Sequence, residues 1–379
     1  MRVGIVTEFF PRSEKTEVRG GVEARAFYLA REIAKKGEVI VLTTREEGDS
    51  RESEFLGIRT IRLGIERKYS QKGSLAERMS FVIESMRFRE ELDLVDGQCF
   101  IAYPVAWRIA KKTGIPAVAT YHDVWIGRWV KNVGIIGIAG ELLERYTLTK
   151  KWDRLIAVSR FTARRLIECG IEPNRIEVIP NGVDVERIAA IKAEKKSEPT
   201  ICCISRLVKY KHVDEVLMAV AKLKKEIPDV KCRIIGTGPE EGSLRKLATR
   251  LGVDRNVEFL GFVRSHTEAM KILKSSHVFC LASTVEGFGM VLLEAMAAEV
   301  PFVATAIEPL LEASGGKGGL FFTPGNIREM SEKLLKLLTD VDLKRKKVRE
   351  GKEWVKNYRW EEIGRRTLEI YKKLTEERV

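Results

Sequence analysis

The chain is 379 residues long, 44% apolar and 32% charged, with a formal net charge of +13. That size and balance fit two ordinary globular domains and exclude a disordered or fibrous chain. The charge is spread, with 32 basic against 27 acidic residues in 1–190 and 35 against 27 in the remainder, which excludes a basic nucleic-acid tail and suits an anionic small molecule or an anionic membrane surface.

In chain order, the opening MRVGIVTEFF lacks the long apolar run and cleavage site of a secretory leader. RVGIVT reads as a strand and VEARAFYLAREIAKK, with apolar residues at helical spacing, as a helix. EVIVLTT, IRTIRL, DLVD, PAVAT, RLIAVS and IEVIP continue the strands, with helices predicted near 75–91, 101–112, 139–151 and 160–169. Such alternation builds βαβ units and a parallel sheet. DVERIAAIKAEKKSEPT, closed by Pro199, reads as a linker. TICCIS restarts the series. KCRIIG, NVEFLG, HVFCLA and PFVAT follow as strands, with helices from about 212, from about 241 and over 289–298. From about 327 the chain is helical and charged, and its Trp354, Tyr358, Trp360 and Tyr371 are expected to pack back onto a domain. The predicted domains are 1–190 with 358–379, and 197–357.

No stretch approaches the roughly 18 apolar residues of a spanning helix. The six cysteines lack C-x-x-C spacing and fall mostly in strand-like runs. They are expected to be reduced and inert, which implies a cytoplasmic protein. Lys and Glu abound while Asn and Gln are scarce, a thermophile-like composition.

EGFGMVLLEAMAAEVP, from Glu286, follows the strand HVFCLA and so lies at a strand's carboxyl end. Gly287 and Gly289 let the backbone approach a ligand closely. A helix starting near Met290 presents unpaired N–H groups and a positive dipole end, an anion site. Glu294, one turn in, suits a diol such as ribose, and Glu286 can accept from sugar hydroxyls. A carboxylate favoured near a helix start is the plainer alternative. It does not explain two glutamates with both glycines. Arg206 and Lys211 follow TICCIS and can clamp a diphosphate, each charged contact contributing about 1.5–3 kcal/mol; Lys209 is expected to be solvated. GTGPEEG at 236–242 has the wrong spacing for a dinucleotide fingerprint, and Pro239 follows its second glycine, so no NAD site is expected. Asp340-Val-Asp342 joins two helical stretches and reads as a cap, so no metal is expected.

The Glu286–Glu294 stretch resembles the E-x7-E motif of glycosyltransferase family 4. RGGVEARAFYLAREIAKKGEVIVLTT, TYHDVW, LIAVSRFTARRL with IPNGVD, ISRLVKYKHVDEVLMAV, IIGTGPEEGSL, VEFLGFV and GLFFTPGN are similar to the family's motifs in their usual order. The resemblance covers nearly the whole chain. It implies the GT-B fold, an α/β architecture of two Rossmann-like doubly wound domains facing across a cleft. It also implies that Arg206 and Lys211 bind the donor diphosphate and that a backbone amide at Gly20 or Gly21 meets the β-phosphate. His122 would contact the donor sugar near the reacting carbon. Phe262 and Val263 would frame the base, with Gly287, Phe288, Gly289, Met290, Val291 and Glu294 completing the donor site.

The implied function is retaining transfer of a hexosyl group from a nucleoside-diphosphate sugar, a UDP- or GDP-sugar, to a hydroxyl of a glycan, a small alcohol or a lipid-linked acceptor. His122, Glu286, Arg206 and Lys211 would be catalytic, with no metal and no cofactor beyond the donor. The alternatives are a catalytically inactive nucleotide-sugar-binding protein and a GT-B phosphorylase or epimerase. Three positions depart from the family pattern: Glu299 and His212 stand where it carries glycine, and AIEPLLEASGG replaces its Gly-Gly, with Glu312 a match for the Glu that follows.

The segment after His122, DVWIGRWVKNVGIIGIAGELLERYTLTKKW, combines Trp125, Trp129, Ile135, Ile136 and Ile138 with Arg128, Lys131, Lys150 and Lys151. This is the composition of a surface resting at a lipid interface, and it predicts peripheral contact with the inner face of a membrane. The alternative is that the apolar residues fill the first domain's core.

Overall fold

The computed structural model describes residues 1–13, 18–68 and 75–378. The chain divides into two compact units, 1–181 with 360–379, and 182–359.

Unit 1 runs β1 (Arg2–Val6), α1 (Gly21–Ala34), β2 (Glu38–Glu46), β3 (Glu52–Phe55), β4 (Ile58–Arg67), α2 (Leu75–Ser85), β5 (Leu94–Gly97), α3 (Ala102–Thr113), β6 (Ala117–Tyr121), α4 (Trp129–Val133), α5 (Gly137–Leu148), β7 (Arg154–Ala157), α6 (Arg160–Glu168) and β8 (Ile176–Val178). Its sheet has the order β3-β4-β2-β1-β5-β6-β7-β8, parallel except for the antiparallel β3–β4 pair. Val3, Ile5 and Val6 of β1 are fully buried. Helices cover both faces of such a sheet, so its strands read as continuous apolar runs without alternation.

Unit 2 runs α7 (Val185–Ala190), β9 (Thr200–Ile204), α8 (Val213–Leu223), β10 (Lys231–Ile235), α9 (Glu241–Arg250), β11 (Val257–Gly261), α10 (His266–Ser275), β12 (Val278–Leu281), α11 (Met290–Ala297), β13 (Phe302–Thr305), α12 (Glu308–Ser314), β14 (Gly319–Phe322), α13 (Ile327–Thr339) and α14 (Val341–Val355). Its six strands, all parallel, have the order β11-β10-β9-β12-β13-β14. A last helix, α15 (Trp360–Glu376), belongs to unit 1.

Two expectations about the boundary are corrected. DVERIAA is not linker: it forms α7, capped by the Asp184 carboxylate on Arg187 N (3.3 Å) and held by Lys274 Nζ, which donates to the carbonyls of Ile188 and Ala189. Residues 182–190 therefore go with unit 2, and so do Tyr358 and Arg359. The tail aromatics do pack back, but onto different units. Trp354 donates to Ala313 O (2.8 Å) and Tyr358 lies 5.8 Å from Phe288, all in unit 2. Trp360 stacks on Tyr28 at 5.1 Å, within unit 1.

Tyr371 of α15 donates its hydroxyl proton to Asp96 Oδ2 (2.5 Å), which also accepts from Thr120 Oγ1 (2.9 Å) and Gln98 Nε2 (2.5 Å). Burial pushes the Asp96 carboxyl up to about 6, against the pull of these donors and the Arg25 charge. Its folded pKa thus lies above its unfolded one, so the contribution of Asp96 to stability is full below about pH 4 and is lost as pH rises through about 6, by about 3 kcal/mol in all. Asp96→Asn is expected to remove this slope. Urea midpoints of both proteins at about pH 4 and about pH 7 check it. An unchanged difference between the two proteins would contradict it.

The six cysteines are free, and four lie in the unit 2 core. Burial pushes the Cys203 thiol up to about 11, which keeps it protonated and unreactive at neutral pH.

Candidate active site

In unit 2 the strand order reverses between β9 and β12: the chain moves from β9 outward to β11 on one side, and from β12 outward to β14 on the other. Ligands bind open α/β sheets at the carboxyl ends of the strands flanking such a reversal. Arg206 and Lys211 follow β9, and Glu286 and Gly289 follow β12, so the topology alone brings these four together.

The β9 side is rigidly built. A Cβ on Gly236 would fall 1.9 Å from Ser205 O, and one on Gly238 would fall 2.2 Å from Leu207 O. These glycines let the loop after β10 lie directly on residues 205–207, where Leu207 N donates to Thr237 O (3.0 Å). They serve this close approach and form no dinucleotide loop. Arg206 Nη2 donates to the Tyr210 hydroxyl (2.6 Å). His212 then takes a left-handed backbone (φ 48°), the conformation that glycine adopts without strain. Its ring holds it there, with Nε2 3.0 Å from Thr284 Oγ1 and Nδ1 3.1 Å from Glu215. Glu299, the second departure from the family's glycines, is also left-handed (φ 58°) and is paired with Lys352 at 2.8 Å. Both substitutions keep the backbone shape and hold it with side-chain bonds.

On the β12 side Gly289 has φ 93°, and a Cβ there would lie 2.3 Å from Leu310 Cδ2. Glycine is thus required twice over. α11 begins without a side-chain cap, leaving its first N–H groups to the positive end of the dipole. Most of α11 is buried; Met290, Val291 and Glu294 are half-buried on one face. Lys211 Nζ donates to Glu286 Oε1 at 2.6 Å, both side chains being mostly shielded. Glu294 Oε1 lies 2.9 Å from His266 Nε2. Phe262, exposed, and Val263 follow β11, two strands from β9.

The sequence reading missed His266 and Tyr210, which orient the candidates Glu294 and Arg206, and Thr284, which holds His212. His266 carried a weak signal: it is one of four histidines and opens the helix after Phe262-Val263. Asp340 Oδ1 accepts from Leu343 N (2.9 Å) and caps α14, as its position between helices predicts, while the Asp342 side chain is in solvent.

In unit 1, His122 follows β6, whose last residue, Tyr121, is buried and stacked 4.6 Å from Tyr103. His122 Nε2 is sealed from solvent with no hydrogen-bond partner among the described residues. Burial, aided by the Arg25 charge, pushes its pKa down to about 3, so the imidazole is neutral at neutral pH. Arg25 is itself fully buried, its Nη1 donating to the carbonyls of Ile179 and Pro180 and to Asn181 Oδ1. Gly20 has an extended backbone that any residue adopts, and a Cβ there would meet nothing within 4 Å. The fold does not demand glycine at 20; open space before a helix N-terminus leaves the backbone approachable.

Residues 19–187 match the Glycosyltransferase Family 4 profile, and residues 184–354 match that of Glycosyl transferases group 1. The chain belongs to glycosyltransferase family 4. A relative, the GDP-mannose-dependent monoacylated alpha-(1-6)-phosphatidylinositol monomannoside mannosyltransferase of Corynebacterium glutamicum, is 31% identical over 58% of this chain, an alignment that spans 61% of the relative's own length. Among solved structures, sucrose-phosphate synthase of Thermosynechococcus elongatus superposes with a TM-score of 0.81 at 18% identity, covering 98% of each chain. The Anabaena protein HepE in complex with UDP-glucose gives 0.76 at 18% identity, covering 98% of this chain and all of the other. At that identity the likeness speaks for the fold alone. The two parallel α/β units are those of the GT-B architecture, and this family 4 protein is a glycosyltransferase.

Proposed function

We propose that this glycosyltransferase moves a hexosyl group, with retention, from a nucleoside-diphosphate sugar to an acceptor hydroxyl. One observation carries the proposal: Lys211 and Glu286 meet at 2.6 Å where the strand order reverses, beside Arg206 and the uncapped start of α11. Two cations, a bare helix N-terminus and a carboxylate suit a diphosphate joined to a sugar. Arg206, Lys211 and the amides from Gly287 to Val291 hold the diphosphate. Glu294, oriented by His266, accepts from the ribose, and Phe262 and Val263 frame the base. Glu286 accepts from the sugar's hydroxyls. In unit 1, His122 acts as a neutral imidazole toward the sugar, and the Gly20–Gly21 backbone toward the β-phosphate.

In the transfer step the bond from the sugar's anomeric carbon to the β-phosphate oxygen breaks. The acceptor oxygen bonds to that carbon on the same face, and the acceptor's proton passes to the leaving phosphate. The protein contributes orientation and charge stabilisation. The donor is a UDP- or GDP-sugar: HepE binds UDP-glucose, and the Corynebacterium relative is GDP-mannose-dependent. That relative's acceptor is a phosphatidylinositol glycoside, which favours a lipid-linked acceptor here.

No metal takes part, since Arg206, Lys211 and the α11 amides provide the counter-charge. Release of nucleoside diphosphate from a panel of UDP-, GDP- and ADP-sugars is therefore expected to survive EDTA. The product should keep the donor's anomeric configuration. Full loss in EDTA, restored by Mg²⁺ or Mn²⁺, would overturn the metal-free mechanism, and an inverted product would overturn retention.

A further inference from the structure

The α4–α5 hairpin of unit 1 exposes Val130, Val133, Ile135, Ile136, Ile138 and Leu142 on 13 consecutive residues, with Ile135 and Ile136 each 82% exposed. Composition singles out Ile135, Ile136 and Ile138 of these, together with two tryptophans that are only partly exposed. Trp129 donates its indole N–H to the buried Glu144 (2.6 Å) and packs 4.8 Å from Phe100, and Glu144 also accepts from Trp125 N (3.0 Å). The tryptophans anchor the hairpin, and the isoleucines form its tip.

The tip is held in shape. Gly134 makes the turn with φ 81°, and Cβ atoms on Gly137 and Gly140 would each lie 2.5 Å from Trp129. A rigid element that keeps two isoleucines almost fully in water is costly unless something covers them. Residues 128–151 carry five basic residues (Arg128, Lys131, Arg145, Lys150, Lys151) against two acidic ones. Both acids are engaged, Glu144 as above and Glu141 with Gly127 N and Arg145. Lys131 and Lys151 are exposed.

The same helix leads to a cavity of about 180 Å³ that Trp107, Tyr146 and Trp152 line, with Arg108, Lys112, Lys150 and the single acid Glu90 among its polar residues. Lys150 Nζ lies 3.6 Å from the Tyr146 ring centroid. Apolar surface and cations thus recur side by side where α3 meets the end of α5.

We infer that the α4–α5 face is a docking surface for an anionic phospholipid bilayer, with Ile135 and Ile136 inserted at the headgroup boundary and Lys131 and Lys151 against lipid phosphates. An apolar ridge flanked by cations has the chemistry of an interfacial anchor. A second copy of the chain fits less well, because in a symmetric pair this face would meet itself, positive against positive. Among the described residues no helix is long and apolar enough to cross a membrane, so the contact is peripheral. It would bring a lipid-linked acceptor to unit 1, but it does not depend on the transfer reaction.

The test is sedimentation with phosphatidylglycerol–phosphatidylcholine vesicles and with phosphatidylcholine vesicles, without any substrate. The protein should pellet with the first and largely not with the second, and high salt should release it. The double variant Ile135→Ser/Ile136→Ser changes only exposed side chains and should keep its melting temperature. It should bind about 10-fold more weakly or worse. Lys131→Glu/Lys151→Glu should abolish the preference for phosphatidylglycerol. The inference is overturned if the wild-type protein stays in the supernatant with both vesicles or if the isoleucine variant binds undiminished. It is also overturned if the wild type is a dimer that the isoleucine variant splits, which would make the face a self-interface.

Discussion

Lys211→Ala is expected to lower kcat/KM for the donor by roughly 10²–10³ while leaving the fold intact. In the proposed site the lysine would supply positive charge where the leaving diphosphate gathers negative charge, and it is paired with Glu286 at 2.6 Å. Without it, a shielded carboxylate faces the diphosphate unpaired, so repulsion adds to the lost attraction. Arg206→Ala should cost less, because Arg206 is tied to the Tyr210 hydroxyl and its loss leaves no bare charge behind. The double variant Lys211→Ala/Glu286→Gln should therefore lose less than the two single variants together. Steady-state release of nucleoside diphosphate, with melting temperature as the control for folding, reads these variants and the single Glu286→Gln. Unchanged kcat/KM in both Lys211→Ala and Arg206→Ala would remove the diphosphate from this site.

Glu286→Gln is expected to act on kcat, lowering it by about 10², and Glu294→Gln on KM, raising it by about tenfold. The two glutamates lie on one element and differ by their partners. Glu286 is bound to Lys211, so in the proposed arrangement its charge would set the field at the sugar and the leaving phosphate. Glu294 is paired with His266 instead, and the ribose contact proposed for it would be the same before and during transfer. An interaction equal in ground and transition states moves KM alone. Saturation kinetics of the two variants decide this. Equal effects on both parameters would mean that the division of roles is wrong.

Strand–helix alternation disclosed the two parallel sheets, and the strand ends placed Arg206, Lys211, Glu286, Gly289 and His122 where ligand-facing loops lie. Two four-residue strands escaped: three of the four residues of β3 (ESEF) are polar, and β14 (GLFF) reads equally as loop. Helices α4, α10 and α12 were missed because they are short or begin next to glycine, serine or proline, which signal loops as often as caps. α7 was taken for linker because only Ile188 of its six residues is fully buried. Side-chain pairing was harder to see. Lys211 and Glu286 are 75 residues apart, and nothing local ties His266 to Glu294, 28 residues on. The glycines of GTG were legible as special but not as supports for Arg206, since the carbonyls they admit belong to another strand's loop. The tryptophans of the 125–151 segment misled for a related reason. Composition shows which residues could face lipid, but the buried Glu144 takes the Trp129 indole N–H and the Trp125 backbone N–H, so both tryptophans are tied to the hairpin's base.

In the proposed function unit 2 holds a nucleoside diphosphate through Lys211 and Arg206 without a metal. Calorimetric titration of UDP and of GDP into the protein in EDTA tests it directly, with no acceptor needed. Binding of at least one of the two is expected, with an affinity that falls at least about tenfold in Lys211→Ala, a loss of about 1.4 kcal/mol. The account is contradicted if neither nucleotide binds, or if the one that binds does so equally well in the Lys211→Ala protein.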